Sequence, residues 1–94
     1  MSKVFSISYD LSQPGQSYNK LIEAIKSFGT YWNATKSVWF VVTNKSARQV
    51  YETISCGIDE NDKVFINEVR TPSDWCGWNL SEGELKWIRD HFEE

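Results

Sequence analysis

Asp10 is the polar residue whose position says most about chemistry. It ends an alternating run in which Phe5, Ile7 and Tyr9 share one side and Val4, Ser6 and Ser8 the other. A carboxylate at that point projects from the rim of a sheet. Its local role is to cap or brace the Leu11 to Gly15 stretch, where Ser, Pro and Gly mark a loop. Trp75 and Trp78, in Asp74-Trp75-Cys76-Gly77-Trp78, are the second group of interest. Paired indoles either stack on bases or a nucleotide, or bury themselves in packing and at interfaces. His91, the single histidine, falls four residues after Trp87 in the last turn of a helical pattern, where a partly charged imidazole is favoured at the surface. Cys56 and Cys76 form no C-x-x-C pair and have no neighbouring histidines, so they read as free thiols rather than zinc ligands. The chain has no G-x-S-x-G, no P-loop, no G-x-G-x-x-G and no H-E-x-x-H, which removes several enzyme classes.

The elements that position these residues follow from periodicity. Lys3 to Asp10 is a strand. Tyr18, Leu21, Ile22, Ile25 and Phe28 recur at helical spacing up to Gly29, a helix stop. Thr30 to Thr35 and Ser37 to Thr43 are rich in Thr, Val, Trp, Tyr and Phe and read as a hairpin, with Asn33 and Lys36 near its turn. Thr43 or Asn44 is placed to cap a second helix, whose stripe is Ala47, Val50, Tyr51 and Ile54 and whose end is near Gly57. After the polar Ile58 to Asp62 turn, Lys63 to Val69 alternates, setting Phe65 and Val69 opposite Val64, Ile66 and Glu68. Ser81-Glu82-Gly83-Glu84 has the capping-box pattern ahead of a helix bearing Leu85, Ile88 and Phe92.

The order βαββαβ predicts an α+β, ferredoxin-like antiparallel sheet with two helices on its Phe5, Ile7, Tyr9 face, plus a short C-terminal helix. The opposite face is then open or available to a partner. Residues 1–94 read as one domain, with a core over about 3–70 and an aromatic loop and helix over 71–94. The C-terminal aromatics must pack on the sheet or on another subunit, since so short a helix is unstable alone.

With 40% hydrophobic and 15% aromatic residues, five of them Trp, the chain can fill one core and leave aromatics for a surface. A net charge of −3 gives no global positive field, so a nucleic-acid role needs a local patch or a metal. Lys20, Lys36, Lys45 and Arg48 offer a modest patch, although scattered lysines are ordinarily solvated surface. Met1-Ser2-Lys3 leads directly into a strand with no apolar leader, and no run approaches the roughly 20 apolar residues of a membrane span. The expectation is a cytosolic protein with no membrane partner.

Several segments, in order along the chain, carry a resemblance. They are Ser8-Tyr9-Asp10-Leu11, the helix end Phe28-Gly29, the strand Lys36-Ser37-Val38-Trp39-Phe40, and Ile58-Asp59-Glu60-Asn61-Asp62-Lys63-Val64-Phe65-Ile66. In these the chain resembles the CRISPR-associated protein 2 family and its relatives, the virulence-associated protein D toxins of toxin–antitoxin systems and short SinR-like proteins. The resemblance spans roughly residues 4–69. It implies a homodimer in which the aspartate matching Asp10 lies near its counterpart and serves metal-dependent phosphodiester cleavage. Two copies of Asp10 would share one Mg²⁺ or Mn²⁺, with water and phosphate completing the shell. Ser8 and Ser12 would help position water or phosphate, and Ser37 matches the serine that opens the family's third strand. The chain departs from the pattern in two places. Pro14-Gly15-Gln16-Ser17-Tyr18-Asn19-Lys20 replaces an arginine-rich helix start, and the Trp75–Trp78 tail replaces the closing strand.

The resulting expectation is an RNA-preferring, magnesium-dependent endonuclease that acts as a homodimer. Two rivals differ in class. One is a non-catalytic module binding RNA, DNA, a nucleotide or a protein through the open sheet face or Trp75 and Trp78. The other is a face that only builds an oligomer.

Overall fold

The computed structural model describes residues 2–12 and 18–93. The elements run β1 (Lys3–Asp10), α1 (Asn19–Lys26), β2 (Tyr31–Thr35), β3 (Val38–Thr43), α2 (Ala47–Ile54), a 3₁₀ turn (Ser55–Gly57), β4 (Lys63–Val69) and α3 (Glu82–Phe92). The four strands form one antiparallel sheet in the order β2-β3-β1-β4. This α+β arrangement of four strands and three helices is compatible with the expected architecture. Among the described residues no helix is long and apolar enough to cross a membrane.

The period-two pattern of β1 sorts its side chains between two cores. Phe5 and Ile7 join Trp39 and Val41 of β3, Leu21 and Ile25 of α1, and Val50 and Ile54 of α2 in a fully buried cluster. Each such aliphatic side chain contributes about 1.5–3 kcal/mol on burial. Tyr9, Val64 and Ile66 pack at its margin. The two central helices therefore cover the predicted face. Gly29, at φ 86°, adopts the left-handed conformation that lets the chain leave α1 for β2.

The opposite face is only partly open, and here the structure revises the expectation. Val4 of β1 lies under α3, in a second cluster with Ile88 and Phe92, joined by Trp32, Phe40, Val42, Val69, Trp75, Leu80 and Trp87. Stacked and edge-to-face ring pairs tie the helix down, with Phe92 edge-on to Phe40 at 5.2 Å and to Trp32 at 6.3 Å. The Ser81 capping box with Glu84 forms as the sequence predicts. The second oxygen of Glu84 accepts from Trp32 Nε1 at 2.8 Å, joining the start of α3 to an edge strand. At the other end Trp75 Nε1 donates to Glu93, and Ser73 N donates to the Phe92 carbonyl at 2.7 Å.

The cap of α2 also differs from expectation. Ser46, not Thr43 or Asn44, accepts from Gln49 N, while the Gln49 side chain accepts from Ser46 N. The reciprocal Ser–Gln pair satisfies two helix-end donors at once, more than a lone Thr or Asn would.

Candidate functional site at the Asp10 end of the sheet

Because α3 covers the Val4 end, the opposite end of the same face stays open. Register places Ser8 between Val38 and Phe65, and Asp10 opposite Lys63. Ser8, Asp10, Lys63 and Phe65 all point away from the helical core, since Val64 and Ile66 pack against it. With Tyr9 they line a shallow cleft of about 220 Å³. Asp10 is exposed, and Phe65 keeps 65% of its surface in solvent. Among the described residues no ion pair joins Asp10 to Lys63, so carboxylate and ammonium share a rim without neutralising each other at contact.

Of the four predicted site residues, the cleft brings together Asp10 and Ser8. Ser8 Oγ donates to the Phe65 carbonyl at 3.4 Å, leaving its oxygen lone pairs as acceptors. Ser12 is directed elsewhere. Its backbone N and its hydroxyl both donate to Asp62 Oδ1, at 2.8 and 3.0 Å. Ser37 lies in the β2–β3 turn, where its carbonyl accepts from Tyr9 N at 3.1 Å. Tyr9 strengthens that junction, for its hydroxyl donates to the Lys36 carbonyl and accepts from Trp39 Nε1.

Asp62, at the end of the polar turn over residues 58–62, is a further carboxylate at this end of the sheet. Its carboxylate accepts from Ser12, from Tyr18 Oη at 3.4 Å and from Asp59 N at 2.9 Å. It thus holds residues on both sides of 13–17, which lie outside the described residues and include the first four of the seven positions, 14–20, that depart from the arginine-rich helix start. The hydrogen bonds from the Ser12 and Asp59 backbones, then those from the Ser12 and Tyr18 side chains, hold its pKa below the ordinary 3.8. A carboxylate whose folded pKa is depressed gives stability that is complete above its unfolded pKa and drains away as pH falls through the folded value. Asp62→Asn is therefore expected to lower the melting temperature at neutral pH and to flatten the loss of stability below about pH 4. Asparagine still accepts from Ser12 but turns an NH₂ toward the Asp59 N–H. Thermal melts of both proteins across that range check this, and equal acid limbs would refute it.

Among the described residues no three His, Cys, Asp or Glu side chains gather as a metal cluster. One chain brings a single carboxylate, Asp10, to the cleft. That donor set fits a hard cation that keeps most of its waters and takes one or two carboxylates, as Mg²⁺ does, and does not fit zinc. Lys63 and Phe65 were not singled out from the sequence. Alternation did place Phe65 opposite Val64 and Ile66, but only the β1–β4 register sets it and Lys63 beside Asp10.

The Trp75–Trp78 loop divides. Trp75 packs in the second core, whereas Trp78 is 92% exposed. His91 lies tilted against Trp87, ring centroids 4.5 Å apart, and lines a separate groove with Asp90, Thr30 and Thr71, at the far end of the sheet from Asp10. There Asp90 is held by Lys86 at 2.7 Å. Both cysteines are free and exposed. No protein-family model matches the chain, and no curated protein matches it significantly in sequence.

Proposed function

We propose that the protein is a ferredoxin-like, homodimeric, metal-dependent endonuclease that acts on RNA in preference to DNA, with Asp10 from each chain as the metal ligand. One observation carries this reading: an exposed carboxylate ends the central strand on the part of the sheet that α3 leaves uncovered, flanked by Ser8 and Lys63. The order β2-β3-β1-β4, with helices following β1 and β3, supports the ferredoxin-like assignment. The resemblance of Ser8-Tyr9-Asp10-Leu11 to the CRISPR-associated protein 2 family supplies the pairing across a dimer and the phosphodiester substrate.

In this reading Mg²⁺ or Mn²⁺ held by Asp10 supplies phosphate neutralisation and an activated water. Ser8 offers an acceptor beside it, and Lys63 adds a cation where a phosphate must approach. Ser12 acts through Asp62, fixing the backbone just beyond Asp10, and Ser37 supports the strand end through its bond with Tyr9. The acidic net charge is a weaker objection than it first appears, because it is unevenly placed. Residues 71–94 carry six acidic and two basic groups, a net −4, whereas residues 1–70 carry eight basic and seven acidic groups, a net +1.

The test is cleavage of labelled single-stranded RNA and double-stranded DNA with Mg²⁺, Mn²⁺ or EDTA, after wild type and Asp10→Asn have been shown to share one oligomeric state. Cleavage of RNA that needs metal and falls at least about 100-fold in Asp10→Asn supports the reading, since even groups that only orient metal ligands cost 10–100-fold. No cleavage, or equal cleavage by both proteins, refutes it.

A second reading, a non-catalytic binding module, has the exposure of Trp78 in its favour. It requires that neither substrate be cleaved, that Asp10→Asn leave binding intact and that Trp78→Ala abolish it.

A further inference from the structure

Phe65 is a large aromatic side chain left 65% in solvent on a strand whose neighbours Val64 and Ile66 are packed. Lys63, two residues earlier on the same face, lies roughly 7 Å away along the strand. Its register partner is Asp10. We infer that Phe65 and Lys63 form a subsite for one nucleotide of a single-stranded nucleic acid, with the base stacked on the Phe65 ring and the adjoining phosphate at the Lys63 ammonium. The inference rests on nucleic acid being the substrate, as proposed above, but not on its cleavage.

Three features favour that occupant. The cleft, at about 220 Å³, falls below the roughly 300–1,000 Å³ of sites that enclose a small molecule, and it opens across a sheet face. Such a site grips one unit of a longer chain. An exposed ring beside a cation matches the two surfaces of a nucleotide, its flat base and its anionic phosphate, and stacking accepts any base. A duplex keeps its bases paired and stacked inside, so it offers the phosphate but not the face that Phe65 needs. The Lys63 ammonium also supplies a cation in place of the arginines that the start of α1 lacks. Ser8 pins the backbone carbonyl of Phe65, so the ring is carried by a paired, anchored strand.

The experiment measures binding without cleavage. Fluorescence anisotropy in EDTA follows a short labelled RNA, the DNA of the same sequence, and the RNA annealed to its complement, with wild type, Phe65→Leu, Phe65→Trp, Lys63→Gln and Asp10→Asn. Circular dichroism and sedimentation first establish that each variant keeps the fold and the oligomeric state. Wild type is expected to bind the single strands more tightly than the duplex. Phe65→Leu should weaken that binding about tenfold, in line with the stacking of one base, and Phe65→Trp should restore it. Lys63→Gln should lower the salt slope by about one phosphate contact. The RNA and DNA arms identify the natural strand. Asp10→Asn removes a negative charge opposite Lys63 and should tighten binding in EDTA while abolishing cleavage, and wild-type binding without any cleavage sinks only the nuclease. Failure of wild type to bind a single strand overturns the inference, as does equal binding by Phe65→Leu. So does equal tightness for the duplex. A change of oligomeric state in Phe65→Leu that accounts for the lost affinity also overturns it, by assigning the ring to a contact between copies of this chain.

Discussion

Gly57→Ala is expected to destabilise the protein by about 3 kcal/mol or more, the upper end for overpacking and a large share of the stability of an ordinary small domain. A Cβ at Gly57 would lie 2.3 Å from the backbone N of Leu21 and 2.4 Å from its Cα. These are main-chain atoms in the first turn of α1, and Leu21 itself is fully buried between the helices and the sheet. No side-chain rotation relieves the clash. Relief requires α1 to lift from the turn that follows α2, which opens the core at Leu21 and Ile25. Gly29→Ala is the control. At φ 86° it needs the left-handed conformation but meets no atom within 4 Å, so its cost is that of the backbone alone, about 1–2 kcal/mol. Urea titration of the three proteins checks the order. A Gly57→Ala midpoint at or above that of Gly29→Ala would show that the α1 contact is not tight.

Phe92→Ala is the second large effect, and its character differs. Phe92 is 7% exposed and meets Phe40, Trp32 and Trp87 through edge-on rings, so truncation costs about 3–5 kcal/mol of the stability that keeps α3 on the sheet. The loss falls on the second core. The Phe5, Ile7 and Leu21 cluster shares no buried residue with it. Hydrogen exchange is therefore expected to rise steeply over α3 and around Trp32 while α1 and α2 stay protected. The fluorescence of Trp32 and Trp87 should shift to the red as their rings meet water. Uniform acceleration through all elements would instead mean that the two faces fold as one cooperative unit.

The clamp at the start of α3 makes its attachment sensitive to acid as well. The Ser81 backbone N–H and then the Trp32 indole hold the Glu84 pKa below the ordinary 4.5. By the linkage that governs Asp62, this part of the helix's hold is complete above that value and fades as pH falls below it.

Some of this was written locally in the chain. The alternation of β1 put Phe5, Ile7 and Tyr9 on one face, and the stripe of α1 matched it, as did that of α2 except for Tyr51, which is 45% exposed, because period two and period 3.6 leave no other way to bury the rest. Ser81 with Glu84 fixed the start of α3, since a capping box is complete within four residues. The position of Asp10 at a strand end was equally local. The choice of Ser46 over Thr43 or Asn44 was within reach, as Gln49 stands three residues on, but several capping residues in a row compete and only the path of the chain out of β3 selects one.

What α3 covers was beyond any local pattern. Its apolar residues required a partner, and both the sheet and a second subunit would satisfy them; the aromatic contacts of Phe92, Trp32 and Phe40 come from segments some fifty residues apart. The same holds for the candidate site. Sequence alone determined that a carboxylate ends the first strand and that Phe65 faces away from Val64 and Ile66. Only the tertiary structure placed Lys63 and Phe65 beside Asp10, turned Ser12 onto Asp62 and left that end of the sheet uncovered, because strand register and helix docking are set by non-local packing that no single segment encodes.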